Sequence, residues 1–149
     1  MDIEADRLQG KLDYIAARMA QLRESRAQGH DALLADQVLV DSSVRRVQTA
    51  IAAAIDAALH VVVRENLGKP RDHGDAFRLL GQAGVLRDEV LPNLLAMVRF
   101  RNLAVHLYAE VDDEAVWAIM ERDLADLEGF VAALAARYLR PGGGNGRPT

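Results

Sequence analysis

At 149 residues the chain fits one domain and can bury a hydrophobic core without covalent staples. Half of it is hydrophobic and only 5% aromatic, a composition dominated by alanine, leucine, valine and arginine that favours helices. The absence of cysteine excludes disulfides and cysteine-held zinc, and a net charge of −4 with a pI near 5.5 argues against coating nucleic acid by charge alone, while leaving room for a local phosphate site.

The start, Met1-Asp2-Ile3-Glu4-Ala5-Asp6, is acidic where a secretory signal is basic. No run approaches the roughly 18 apolar residues of a membrane span. A cytoplasmic protein without membrane attachment is therefore expected. Leu8, Leu12, Ile15, Met19 and Leu22 alternate three- and four-residue steps, which predicts a first helix from Ile3 to about Gln28, stopped by Gly29. A longer second helix carries Val44, Val47, Ile51, Ile55, Leu59 and Val62 to about Asn66, with Asp31, Asp36 and Asp41 each able to cap its start. Gly68 and Pro70 end it, and a loop from Leu67 to about Gly74 leads into a short helix near Asp75–Gln82.

A fourth helix is expected from about Asp88, with Pro92 tolerated in its first turn. The pair Asp112-Asp113, followed by Glu114, starts a final helix running through Val116, Ile119, Met120, Leu127, Phe130 and Leu134 to about Leu139. Residues 141–149, rich in glycine and proline, form an expected flexible tail after a single domain over 1–140. The sum is an all-α, antiparallel, up-and-down four-helix bundle with one additional short helix.

Several chemical signatures are missing. His30, His60, His73 and His106 show no paired metal-ligand spacing, and neither a nucleophile elbow nor a complete phosphate loop is present. Polar groups instead thicken at the end of the fourth helix, in Arg101-Asn102-Leu103-Ala104-Val105-His106-Leu107-Tyr108. Arginine offers a permanent charge and a planar donor fork that matches phosphate oxygens. Histidine exchanges protons near neutral pH. RNA carries its own nucleophile in the 2′-hydroxyl, so a base plus a phosphate clamp suffices to cleave it without metal. On an ideal helix Asn102 and His106 share a face and Tyr108 stands two turns above Arg101, but Arg101 and His106 diverge by roughly 140°. Either the helix distorts at its end or a second copy completes the site.

The pattern Arg101-Asn102-x-x-x-His106-x-Tyr108 resembles the signature of the HepT-like proteins of the HEPN superfamily. The likeness extends through Ala53–His60, Asp75-Ala76-Phe77, Leu80, Gly84-Val85-Leu86, Met97–Phe100, Val111-Asp112 and Leu127–Phe130, and so covers roughly Asp36 to Leu139. That resemblance implies a HEPN-like bundle that dimerises, bringing two motifs to one cleft. It implies a ribonuclease toxin that uses no metal or cofactor and acts on RNA rather than DNA. Arg101 and His106 would then be the catalytic pair, and Asn102 the supporting polar residue. Tyr108 would be the regulatory tyrosine, to which an antitoxin, a minimal nucleotidyltransferase, transfers AMP from ATP. The alternative is a non-catalytic adaptor module that keeps the motif for contacts with the nucleotidyltransferase.

Overall fold

A computed structural model describes residues 3–106 and 112–139 of the chain. Tyr108 and the tail expected to be flexible, residues 141–149, lie outside the described residues. Helix α1 spans Ile3–Ala27, α2 His30–Leu34, α3 Gln37–Arg64, α4 His73–Gln82, α5 Leu91–His106, α6 Asp113–Ala118 and α7 Leu124–Tyr138. A 3-10 turn at Asp88–Val90 leads into α5, and five residues of π-helix, Ile119–Asp123, join α6 to α7. No strand occurs among the described residues.

Four long rods, α1, α3, α5 and α6–α7, alternate in direction. The start of α1 meets the end of α3 where Glu4 lies 3.2 Å from His60. The end of α1 meets the start of α7 where Arg23 pairs with Glu128. Arg64 stacks over Tyr138, placing the ends of α3 and α7 together. Helix α3 is central, packing on α1, α4, α5 and α6. The expected stripe residues Leu8, Leu12, Ile15, Met19 and Leu22 are all buried, as are Val44, Val47, Ile51, Ile55 and Val62; Leu59 is half-buried. Phe77 of α4 and Phe130 of α7 meet edge to face, centroids 5.3 Å apart, and lock the short helix onto the bundle.

The structure settles one junction that the sequence left open and departs from the sequence reading at three others. Of the three candidate caps for the second helix, Asp36 is the one used, its carboxylate accepting from the Leu39 N–H at 3.1 Å. The residues before it form the separate turn α2, entered through Gly29 at φ 96°, a conformation that a Cβ would strain. Helix α4 starts at His73 rather than Asp75, because Asp72 caps it through the Asp75 N–H at 2.9 Å. Asp88 does not cap α5 but opens the 3-10 turn ahead of it, which keeps Pro92 within the first turn of the α-helix.

The last rod is also interrupted, not continuous α-helix. Its π turn rotates Asp123 into the core, where it is fully buried. The Arg122 guanidinium donates to Asp123 at 2.8 Å, and Arg26 of α1 donates to the Met120 carbonyl in the widened turn. Burial nevertheless holds the Asp123 carboxyl above its ordinary range, against the opposing pull of Arg122. Contrary to the expectation from the sequence, α3 is long and apolar enough to cross a membrane by length and composition. Its apolar side lies in the protein core, which accounts for that composition.

Candidate active site

Helix α5 carries the motif on its last two turns. Leu94, Met97 and Ala104 are buried, so the helix is pinned along this side. Arg101 follows Leu94 by two turns and Met97 by one, and so leaves the same side of the helix as these buried residues. It is partly exposed, with its guanidinium between α3 and α4. Asn102 is also partly exposed, and His106 is the last residue of α5.

Arg101 is loosely held. One guanidinium nitrogen donates to the His73 Nδ1 at 3.5 Å and to the Asn102 Oδ1 at 3.4 Å, both at the outer limit of hydrogen bonding. Arginine can only donate, so the first contact requires an unprotonated Nδ1. No carboxylate among the described residues pairs with Arg101. Some other arginines do have acidic partners: Arg23 pairs with Glu128, Arg71 and Arg78 with Asp75, and Arg122 with Asp123. In a chain with 22 acidic against 18 basic residues, a motif arginine without an acidic partner leaves most of its donors available to an anion.

His73 is the site residue that the sequence did not reveal. It lies 28 positions from Arg101 and is dismissed by spacing rules that look only for metal ligands. The signal available in the sequence was indirect: Asp72 as an N-cap fixes His73 as the first residue of α4. The same turn is tied down by Asp75, which accepts from the Arg71 backbone N–H at 2.8 Å and from Arg78 at 2.8 Å. These bonds, the Arg71 N–H first, hold the Asp75 carboxyl below its ordinary range. His73 is thereby presented to α5 from a rigid corner.

Helix α5 runs from Leu91 to His106 as α-helix. The structure brings Arg101, Asn102 and His73 together; Tyr108 lies outside the described residues. Beyond the site, His30 bridges α2 to the first turn of α6. Its Nε2 lies 2.9 Å from Glu114 and its Nδ1 2.8 Å from Asp31, with Trp117 edge-on at 5.3 Å. The Glu114 and Asp31 contacts raise the His30 pKa above its ordinary value.

Comparison with known proteins places these features in a family. The model of the family described as ribonuclease HepT-like matches residues 15–134. The mRNA nuclease HepT of Shewanella oneidensis is 35% identical over 101 residues, covering 68% of this chain and 76% of that protein. A solved toxin–antitoxin complex with AMP-PNP contains a chain that superposes with a TM-score of 0.80 at 29% identity, covering 88% of this chain and 98% of its own. The tri-AMPylated HEPN toxin of Shewanella oneidensis, solved with its MNT antitoxin, gives the same TM-score and identity over 91% of this chain and 99% of its own. YutE of Bacillus subtilis, at 14% identity and a TM-score of 0.77, shares the fold.

Proposed function

The chain belongs to the ribonuclease HepT-like family, and from that premise we propose that it is the toxin of a toxin–antitoxin pair, a cytoplasmic, metal-independent endoribonuclease held in check by a nucleotidyltransferase antitoxin. The observation that carries the reading is Arg101, a partly exposed guanidinium without a carboxylate partner among the described residues, on the motif helix of a net acidic protein. Its free donors suit a phosphodiester, and charge developing on the phosphoryl oxygens during cleavage is what such a fork stabilises.

His106 moves the proton. As a base it takes the proton of the RNA 2′-hydroxyl, whose oxygen attacks the adjacent phosphorus as the bond to the 5′-oxygen breaks, giving a 2′,3′-cyclic phosphate and a 5′-oxygen that takes its proton from water. Asn102 and His73 position Arg101. The divergence of Arg101 and His106 around α5 supports a homodimer in which each cleft takes groups from both subunits. AMP transferred to Tyr108 places a phosphodiester within the motif, where it competes with substrate phosphate for Arg101. The mRNA nuclease HepT and the AMPylated HEPN toxin supply the precedents for cleavage and modification.

Growth and mass together test the proposal. Expression of the chain alone should arrest growth, while His106→Ala or coexpression of a cognate nucleotidyltransferase should relieve the arrest. Intact mass after coexpression should rise by whole AMP units, and Tyr108→Phe should abolish the increase. Purified His106→Ala protein that cuts RNA as fast as wild type refutes the catalytic assignment. Wild-type protein that binds the nucleotidyltransferase but neither cuts RNA nor arrests growth establishes the adaptor alternative.

A further inference from the structure

Between α3 and α5 runs a groove of about 510 Å³, lined by Asp41, Arg45, Gln48 and Thr49 from α3 and by Arg101 from α5. Its size lies within the roughly 300–1,000 Å³ of clefts that hold small ligands. Positions 41, 45, 48 and 52 repeat at helical spacing, so the polar groups and Ala52 share one face of α3. Ala52 and the buried Ala104 contribute only methyl groups, which keeps the groove open.

Arg45 is exposed and, like Arg101, has no carboxylate partner among the described residues. Asp41 stands one turn before it but accepts from the Gln37 amide at 2.8 Å and pairs with neither arginine. The groove thus presents two available guanidinium groups, with an amide and a hydroxyl between α3 and the motif. Among the described residues its lining contains no aromatic side chain, so none of them offers a platform for stacking bases. Phosphate and ribose remain the groups this chemistry recognises.

We propose that this groove is the track of the single RNA strand next to the cleaved bond, with Arg45 binding the phosphate adjacent to the one at Arg101. The inference rests on the ribonuclease reading above. Gln48 and Thr49 meet the sugar between the two phosphates, the Gln48 amide both donating to and accepting from a 2′-hydroxyl. Binding through the backbone makes affinity strongly salt-dependent and weakly dependent on sequence.

The test uses full-length His106→Ala protein, which leaves the strand uncut, and a fluorescently labelled single-stranded RNA of mixed sequence followed by anisotropy over a salt series. Adding Arg45→Gln should weaken binding by about tenfold and lower the salt slope by about 0.7. Ala52→Leu should weaken binding with the slope unchanged, by filling the groove, whereas the remote exposed Arg87→Gln should have no effect. In the cleaving protein, Arg45→Gln should raise KM and leave kcat nearly unchanged. Equal affinity and slope with and without Arg45→Gln overturn the track while wild-type cleavage leaves the ribonuclease reading standing. Wild-type protein that neither binds nor cuts RNA overturns both. If Arg45→Gln weakens capture of the nucleotidyltransferase but not of RNA, the groove is a protein-docking face and the proposal is wrong.

Discussion

Replacing Arg101 with alanine separates chemistry from folding with unusual clarity. The side chain gives up only two long contacts, 3.5 Å to His73 and 3.4 Å to Asn102, and no acidic partner among the described residues is stranded. Both partners reach solvent, so water replaces the lost donor. The unfolding free energy of Arg101→Ala should stay within about 0.5 kcal/mol of wild type, and Tm within about 2 °C. Catalysis has no such replacement. Removing a donor that serves a developing oxyanion costs up to about 10²–10³ in rate, about 2.7–4 kcal/mol of transition-state stabilisation. Arg101→Lys keeps the charge and loses the planar fork, and should fall between the two, about tenfold below wild type. The assay pairs initial rates on labelled RNA with thermal unfolding of the same preparations. A loss of kcat/KM under about fivefold for Arg101→Ala, or a loss that tracks a fall in Tm of several degrees, refutes the role given to Arg101.

If each cleft combines Arg101 of one subunit with His106 of the other, mixing inactive Arg101→Ala and His106→Ala proteins with subunit exchange should restore activity. Random pairing makes about half the dimers mixed, each with one intact site of two, so recovery should reach about a quarter of wild type; no recovery contradicts the shared site. His73→Ala should lower kcat severalfold at nearly constant KM, and His73→Gln, which keeps an acceptor, should recover part of it; a change confined to Tm would make His73 merely structural. The raised pKa of His30 means that the folded state binds more protons than the unfolded state between the ordinary histidine value and the raised one. Its stabilising contribution is complete below the ordinary value and is lost as pH rises through the raised one. Urea unfolding near neutral pH should therefore show wild type losing stability relative to His30→Gln as pH increases, and parallel profiles would contradict the bridge to Glu114. For Asp123→Asn, the neutral amide avoids the cost of a buried charge while Arg122, more than half exposed, is not stranded. Stability at neutral pH should change by less than about 1 kcal/mol or rise, and a loss above about 2 kcal/mol would show that the ion pair outweighs burial.

The long helices were legible because their apolar periodicity is a local property. Five residues of α1 at alternating four- and three-residue steps point to one side whatever packs against them, and all five are buried. The junctions were less legible. Asp31, Asp36 and Asp41 are equivalent as caps in the sequence, and the choice fell to Asp36 once α2 formed as a separate turn. The π turn of Ile119–Asp123 leaves no mark in the periodicity, because one inserted residue shifts a helical stripe without abolishing it.

The sequence by itself determined the helical class, the core stripes and the motif that assigns the family, because these depend on the order and spacing of side chains along one segment. It also exposed the angular mismatch between Arg101 and His106, which follows from helix geometry alone. Only the tertiary structure set His73 against Arg101 across 28 residues. It alone left Arg101 without a carboxylate partner among the described residues, and aligned Arg45, Gln48 and Thr49 of α3 opposite α5 in one groove. The physical reason is that a helix fixes neighbours only three or four positions away, whereas a binding site depends on which rods lie side by side, and that is settled by the packing of the whole core.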